Sequence, residues 1–190
     1  MQITQSFIKA FQEYLNGQEC GLILKAKYVD GIDFPSTDAQ NLGQWFEYIC
    51  TGAKTKHGRI PEPEYLKDGK TLAAKYRLME SHKATFERIL AAYQIKILEV
   101  GKTLSYEGYE GTIDIIAEML GEKVFIDLKT TAHINNKWED YGWDIDTLDT
   151  KEKLMVQAVH YKLLGWKIYG NEGLAAFVFT FNPIKVFLGE

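Results

Sequence analysis

Gly111-Thr-Ile-Asp114-Ile-Ile-Ala-Glu-Met-Leu120-Gly121-Glu122-Lys123-Val-Phe-Ile-Asp127-Leu128-Lys129-Thr130 is the stretch from which the fold can be read. It contains two apolar, β-branched runs, Gly111 to Leu120 and Lys123 to Thr130, joined at Gly121-Glu122, and this pattern predicts a β-hairpin. A two-residue loop with glycine first suits a type II′ turn and sets Asp114 opposite Lys129. Side chains alternate along a strand, so Asp127 and Lys129 share a face with Asp114 and Ile116, while Val124, Ile126 and Leu128 point the other way. Asp114 and Asp127 become diagonal neighbours, roughly 7 Å apart at the backbone, close enough for one divalent ion to bridge them.

Two explanations compete for these charges. On the wet face of an amphipathic hairpin, a charged pair across the ladder contributes under ~1 kcal/mol and signals nothing. Yet both strands carry apolar residues on both faces, Ile116 and Phe125 beside the charges and Ile113, Ile115, Val124 and Ile126 opposite, which predicts an internal hairpin. Two buried aspartates are costly unless a cation or hydrogen bonds compensate, so their presence asks for a reason.

The run Gly111-Thr112-Ile113-Asp114 through Ile126-Asp127-Leu128-Lys129-Thr130, followed by Gln157-Ala-Val-His-Tyr161, resembles the PD-(D/E)xK nuclease superfamily, in particular its RecB-like and phage exonuclease branch. The segment Gly43-Gln-Trp-Phe46-Glu47 resembles the glutamate-bearing early helix of that family, and Ile113 stands where its usual proline precedes the first aspartate. The likeness spans residues 43 to 182, with 1 to 42 as an amino-terminal helical and strand extension of a single domain. It implies a restriction-endonuclease-like α/β core, a mixed central sheet with a hairpin-borne active site flanked by helices. It also implies Asp114, Asp127, Lys129 and Glu47 as catalytic residues. Asp114, Asp127, Glu47 and the Leu128 carbonyl would hold Mg²⁺ or Mn²⁺, with Gln157 and Tyr161 on the DNA. The activity implied is DNA hydrolysis from ends; a structure- or site-specific endonuclease and a catalytically inactive DNA-binding module of the same fold are the alternatives. A homo-oligomer or a recombination or repair protein would be compatible partners, and the setting implied is the cytoplasm of a bacterium or phage-infected host.

Length and composition fit this frame. A chain of 190 residues with 46% hydrophobic content suffices for one domain with a substantial core. Cys20 and Cys50 are its only cysteines, too few for a four-thiolate iron–sulfur cluster, and are read as reduced core thiols. The sequence has no signal-like start and no apolar run of membrane-spanning length, so no membrane partner is expected. A net charge of −4 sits awkwardly with nucleic acid, whose affinity for proteins comes largely from lysine and arginine. The basic residues are therefore read locally: Lys54, Lys56, His57 and Arg59 after the Glu47 helix, and Lys151, Lys153, Lys162 and Lys167 on a late helix, either rim a cleft or are ordinary solvated charge.

Apolar spacing predicts helices over 2–16, 39–50, 71–94 and 150–167. The 71–94 helix is expected to bury Leu72, Tyr76, Met79, Phe86, Leu90 and Tyr93, and the last helix Met155, Val159, Leu163 and Trp166. Gln157 and Tyr161 would flank that last stripe, with His160 pointing elsewhere; His57, His82, His133 and His160 show no metal-ligand spacing. Strands are expected at 21–29, 95–106 and 174–181, the last one central, with the cleft at the sheet edge. The long loop after Thr131 carries Trp138, Tyr141 and Trp143, which would either stack on bases or anchor the loop.

Overall fold

The computed structural model describes residues 2–55, 57–130, 148–170 and 175–181. Its elements run β1 (Ile3–Thr4), α1 (Gln5–Leu15), α2 (Gly21–Tyr28), α3 (Asp38–Thr51), α4 (Ala74–Ala92), β2 (Lys96–Tyr106), β3 (Tyr109–Met119), β4 (Glu122–Thr130), α5 (Leu148–Tyr169) and β5 (Ala175–Phe181). They form a mixed α/β fold, with a five-stranded sheet and helices on both faces. β2, β3 and β4 are antiparallel, and α5 is the crossover that returns the chain to β5, parallel to β4.

The hairpin turns one residue earlier than its glycine suggests. Met119 pairs with Glu122, so the central residues are Leu120 and Gly121, both with positive φ (55° and 82°). That is a type I′ turn, which needs the left-handed region at both central positions and places glycine second. Ile115 pairs with Ile126, and the register carries Asp114 toward Asp127 rather than toward Lys129. The slip takes one residue from each strand, so the paired residues keep their expected faces, whereas Ile113, beyond the ladder and expected beside Ile115, does not.

β3 has a fork. On the edge it shares with β4, residues 115–119 pair with β4 while Tyr109 and Glu110 pair with β1, so 111–114 lie between two ladders. Ile113 then packs on the α5 side and Ile115 on the opposite side, although a regular strand would put both on one face. β4 is internal, because Val124 through Thr130 pair with β5, and the expected edge cleft gives way to this gap inside the sheet. Among the described residues β5 pairs only with β4, so the strand expected to be central lies at an edge.

One face of the sheet is covered by α3 and α4. Leu42, Trp45 and Phe46 from α3 meet Tyr76, Met79 and Phe86 from α4 over Ile115, Ala117, Val124 and Ile126. Each fully buried apolar side chain of this size stabilises by ~1.5 to 3 kcal/mol. α3 begins at a capping box, Thr37 with Gln40, which fixes the start of the helix that carries Glu47.

Four other expectations are corrected. Residues 21–28 are helical, because an apolar run such as Leu22-Ile-Leu has no periodicity to separate strand from helix. Tyr93 is exposed because α4 has ended before it, and Cys20 is exposed in the turn before α2, whereas Cys50 packs against the core and burial pushes its thiol up to about 12. α5 buries Gln157, His160, Tyr161 and Leu164, leaving Val159 and Trp166 exposed: polar side chains take the inward stripe because the fork offers them partners. Trp138, Tyr141, Trp143 and His133 lie outside the described residues, as do Lys56 and the side chains of Lys151, Lys153 and Met155. Among the described residues no helix is long and apolar enough to cross a membrane.

Candidate active site

The fork exposes backbone carbonyls of β3, and α5 takes them. His160 Nε2 lies 2.9 Å from Glu110 O, and Tyr161 Oη donates to Thr112 O at 3.0 Å. A Cβ on Gly111 would lie 3.0 Å from Leu164 Cδ1 and 3.2 Å from Tyr161 Cε1, so the helix can come this close only over glycine. Four residues before Tyr161, the Gln157 amide group donates to Tyr161 Oη at 3.0 Å and to Asp127 Oδ1 at 2.7 Å. A continuous chain of hydrogen bonds thus runs from the β3 backbone to one oxygen of a buried aspartate.

The other oxygen is different. Asp127 Oδ2 lies 2.5 Å from Lys129 Nζ, yet it is buried and no donor meets it with hydrogen-bond geometry. Opposite it, Asp114 Oδ2 accepts the Leu128 N–H at 2.8 Å, a side-chain link where the ladder has stopped. Burial pushes the Asp114 carboxyl up to about 8; the Asp127 charge adds to the rise and Lys129 opposes it, with Glu47 raising it further and the Leu128 amide lowering it. Glu47 enters from α3, its carboxyl raised first by burial, then lowered by Lys129 and raised by Asp127. The Tyr161 phenol is also raised, by burial and by the Asp127 charge.

Asp114, Asp127, Lys129, Glu47, Gln157 and Tyr161 are therefore brought together, by β3, β4, α3 and α5. His160, expected to point elsewhere, is buried and belongs to the clamp. Sequence spacing carried a signal for it, because 157, 160, 161 and 164 form one helical stripe once polar members are admitted. His57 is exposed and 3.2 Å from Asp33, and His82 is buried in α4.

The donor set suits a hard divalent cation. Three carboxylates face one ammonium, so the ionised cluster carries excess negative charge, and one buried carboxylate oxygen has only that ammonium against it. Among the described residues no three His, Cys, Asp or Glu side chains are grouped tightly enough to enclose an ion. The arrangement has the chemistry of a cation site without being a closed cage.

Among solved structures the chain is similar to a candidate exonuclease from Eubacterium rectale, with 19% identity and a TM-score of 0.71 over 96% of this chain and 68% of that one. At that identity the likeness establishes a shared fold. The FdxN element excision controlling factor protein from Anabaena variabilis is 15% identical over 49% of this chain and 60% of that one, and its TM-score of 0.31 is too low to bear on the fold. No protein-family model and no curated protein matches the chain.

Proposed function

We propose that this protein is a divalent-metal-dependent deoxyribonuclease of the PD-(D/E)xK type, related to the RecB-like branch and hydrolysing phosphodiester bonds from DNA ends. The observation that carries the reading is the meeting of Asp114, Asp127 and Lys129 at the fork, with one Asp127 oxygen tethered through Gln157 and the other, buried, in ion-pair contact with Lys129. The fold shared with a candidate exonuclease supports it.

Asp114, Asp127, Glu47 and the Leu128 carbonyl would hold Mg²⁺ or Mn²⁺, which supplies Lewis-acid activation of water and neutralises charge on the phosphate. Lys129 contributes a compact positive charge beside Asp127, suited to orienting the attacking water or to balancing charge on the phosphate oxygens. Gln157 and Tyr161 act from behind. Both amide hydrogens of Gln157 and the Tyr161 hydroxyl hydrogen are used within the protein, so the pair serves to position Asp127 rather than to grip a phosphate.

The test is a time course on linear DNA labelled at each end, beside a covalently closed circle, with Mg²⁺, with Mn²⁺ and with chelator. The expected result is nucleotide release from linear DNA only, dependent on the metal and reduced on the order of 10³-fold by Asp127→Ala or Lys129→Ala while the thermal melt is retained. Nicking of the circle would turn the assignment to an endonuclease. No release by the wild type in Mn²⁺ would leave a binding module.

A further inference from the structure

Beyond the catalytic cluster, the chain leaving α3 forms a small closed turn. Thr51 Oγ1 donates to Glu47 O at 2.7 Å, and the Gly52 and Ala53 amides donate to Tyr48 O and to Thr51 Oγ1. The path from Glu47 to Lys54 is thereby fixed by hydrogen bonds. Thr55 N–H then donates to Arg59 O at 2.9 Å, Arg59 N–H to Thr55 Oγ1 at 3.2 Å and Gly58 N–H to Thr55 O at 2.7 Å. This closure sets Lys54 and Arg59 at the base of the turn, both exposed.

The turn is anchored next to the site. A Cβ on Gly101 would lie 3.6 Å from the Ala53 Cβ, and Gly101 has φ +56°, a conformation that favours glycine. Val100 pairs with Ile115 and Lys102 with Ile113, so Gly101 lies across from Asp114. From Glu47, about 6 Å of helix rise and three further residues lead to Lys54, which bounds its Cα within ~16 Å of Glu47. A nucleic-acid strand advances ~3.4 Å per phosphate along the duplex axis, so this reach corresponds to at most about five nucleotides.

The charges are available. His57 is matched by Asp33 at 3.2 Å, whereas Lys54 and Arg59 have no acidic partner among the described residues. Elsewhere Lys25, Lys75 and Lys102 are matched by Asp30, Glu64 and Glu99, while exposed Lys67 and Lys70 have no ion pair among the described residues. What sets Lys54 and Arg59 apart from such lysines is their place, at the stem of a hydrogen-bonded turn that leaves the Glu47 helix.

We infer that the Thr55–Arg59 turn, through Lys54 and Arg59, is a sequence-independent clamp for the phosphodiester backbone of a nucleic-acid strand a few nucleotides from Asp114. This rests on the nuclease reading only for the identity of the site beside it; the clamp itself is a binding surface and is measurable without catalysis. A lysine gives a point charge and an arginine a planar fork, and both match phosphate oxygens without reading bases.

The experiment is fluorescence anisotropy of the full chain with a labelled 20-nucleotide duplex in EDTA, across a salt series. Lys54→Ala/Arg59→Ala is expected to weaken binding about tenfold at low salt and to reduce the slope of log K against log salt by about 2, equally for duplexes of unrelated sequence. Lys67→Ala/Lys70→Ala, in a separate exposed turn, controls for net charge and is expected to leave the slope unchanged. An unchanged slope in Lys54→Ala/Arg59→Ala, an equal loss in the control pair, or a wild type that binds no duplex overturns the clamp. A wild type that binds but releases no nucleotides in Mn²⁺ removes the nuclease reading and leaves the clamp standing. Circular dichroism melts of each variant separate lost contacts from lost folding.

Discussion

Both faces of the sheet bury apolar side chains, and the one under α5 adds a hydrogen-bonded polar stripe. Under α3 and α4 the contact is apolar, Phe46, Met79 and Phe86 against Ile115 and Ile126. Under α5, side chains of Gln157, His160 and Tyr161 reach Asp127 and two β3 carbonyls through hydrogen bonds of 2.7 to 3.0 Å. Apolar burial has no preferred direction and accepts repacking, while hydrogen bonds restrict distance and angle. The difference teaches that positional accuracy is laid over cohesion here: Ile113, Ile116, Phe125 and Leu164 give the α5 face an apolar core of its own, and the polar stripe of α5 additionally holds a carboxylate in place.

The sharpest way to break that division is Phe86→Ala. It should cost ~3 to 5 kcal/mol through the cavity left in the apolar face, and at ~2 to 4 °C per kcal/mol lower the melting temperature by roughly 10 °C. Cleavage per folded molecule should stay unchanged. A urea midpoint close to wild type would show that this face is not where the cohesion lies.

Asp114 gives the next effect. Its carboxyl sits at about 8 in the folded chain against an ordinary 3.8, so folding takes up a proton between those values. The contribution is fully present below about pH 4 and is lost as the pH rises toward 8, so the metal-free protein becomes less stable across that window. Asp114→Asn should remove the slope, be more stable than wild type at pH 8 in EDTA by ~1 to 3 kcal/mol, and be inactive. Mn²⁺ should flatten the wild-type slope by favouring the ionised form. A wild-type slope of the opposite sign in thermal melts would reject the assignment.

Tyr161→Phe keeps the ring and deletes the hydroxyl shared by Gln157 and Thr112 O. It should cost only ~1 kcal/mol of stability, yet roughly 10- to 100-fold in cleavage, because Asp127 loses its stop. Equal and small losses in both would mean that the polar face contributes only cohesion.

The smallest expected effect belongs to neither face. Leu120 is largely exposed at φ +55°, a conformation that strains a side chain. Leu120→Gly should raise the unfolding free energy from urea titration by ~1 kcal/mol, with an unchanged slope and unchanged cleavage.

Much of this was legible in the residues. The hairpin, the α5 crossover and the glutamate-bearing helix follow from periodicity and turn chemistry, as does the convergence of Asp114, Asp127 and Lys129. The register did not follow, because Gly121 fits both the first position of a type II′ turn and the second of a type I′ turn. The site survived that error because moving one residue on each strand preserves the faces. The inward side of α5 was hidden for another reason: hydrophobicity points to Val159 and Trp166, but the fork in β3 creates a demand for donors that only tertiary structure reveals. His160 was passed over for the same reason, since a lone histidine carries no ligand spacing.

Gly111 has a consequence for how this architecture can vary. Because its missing methyl lets the crossover helix rest on the strand, the residue sets the stand-off between the two, and with it whether an imidazole and a phenol can span to the peptide groups below. Alanine there would push Leu164 and the Tyr161 ring outward by a few tenths of an ångström and pass that displacement along the helix to the amide holding Asp127. The smallest side chain in the chain thus acts as a spacer that calibrates a carboxylate it never touches.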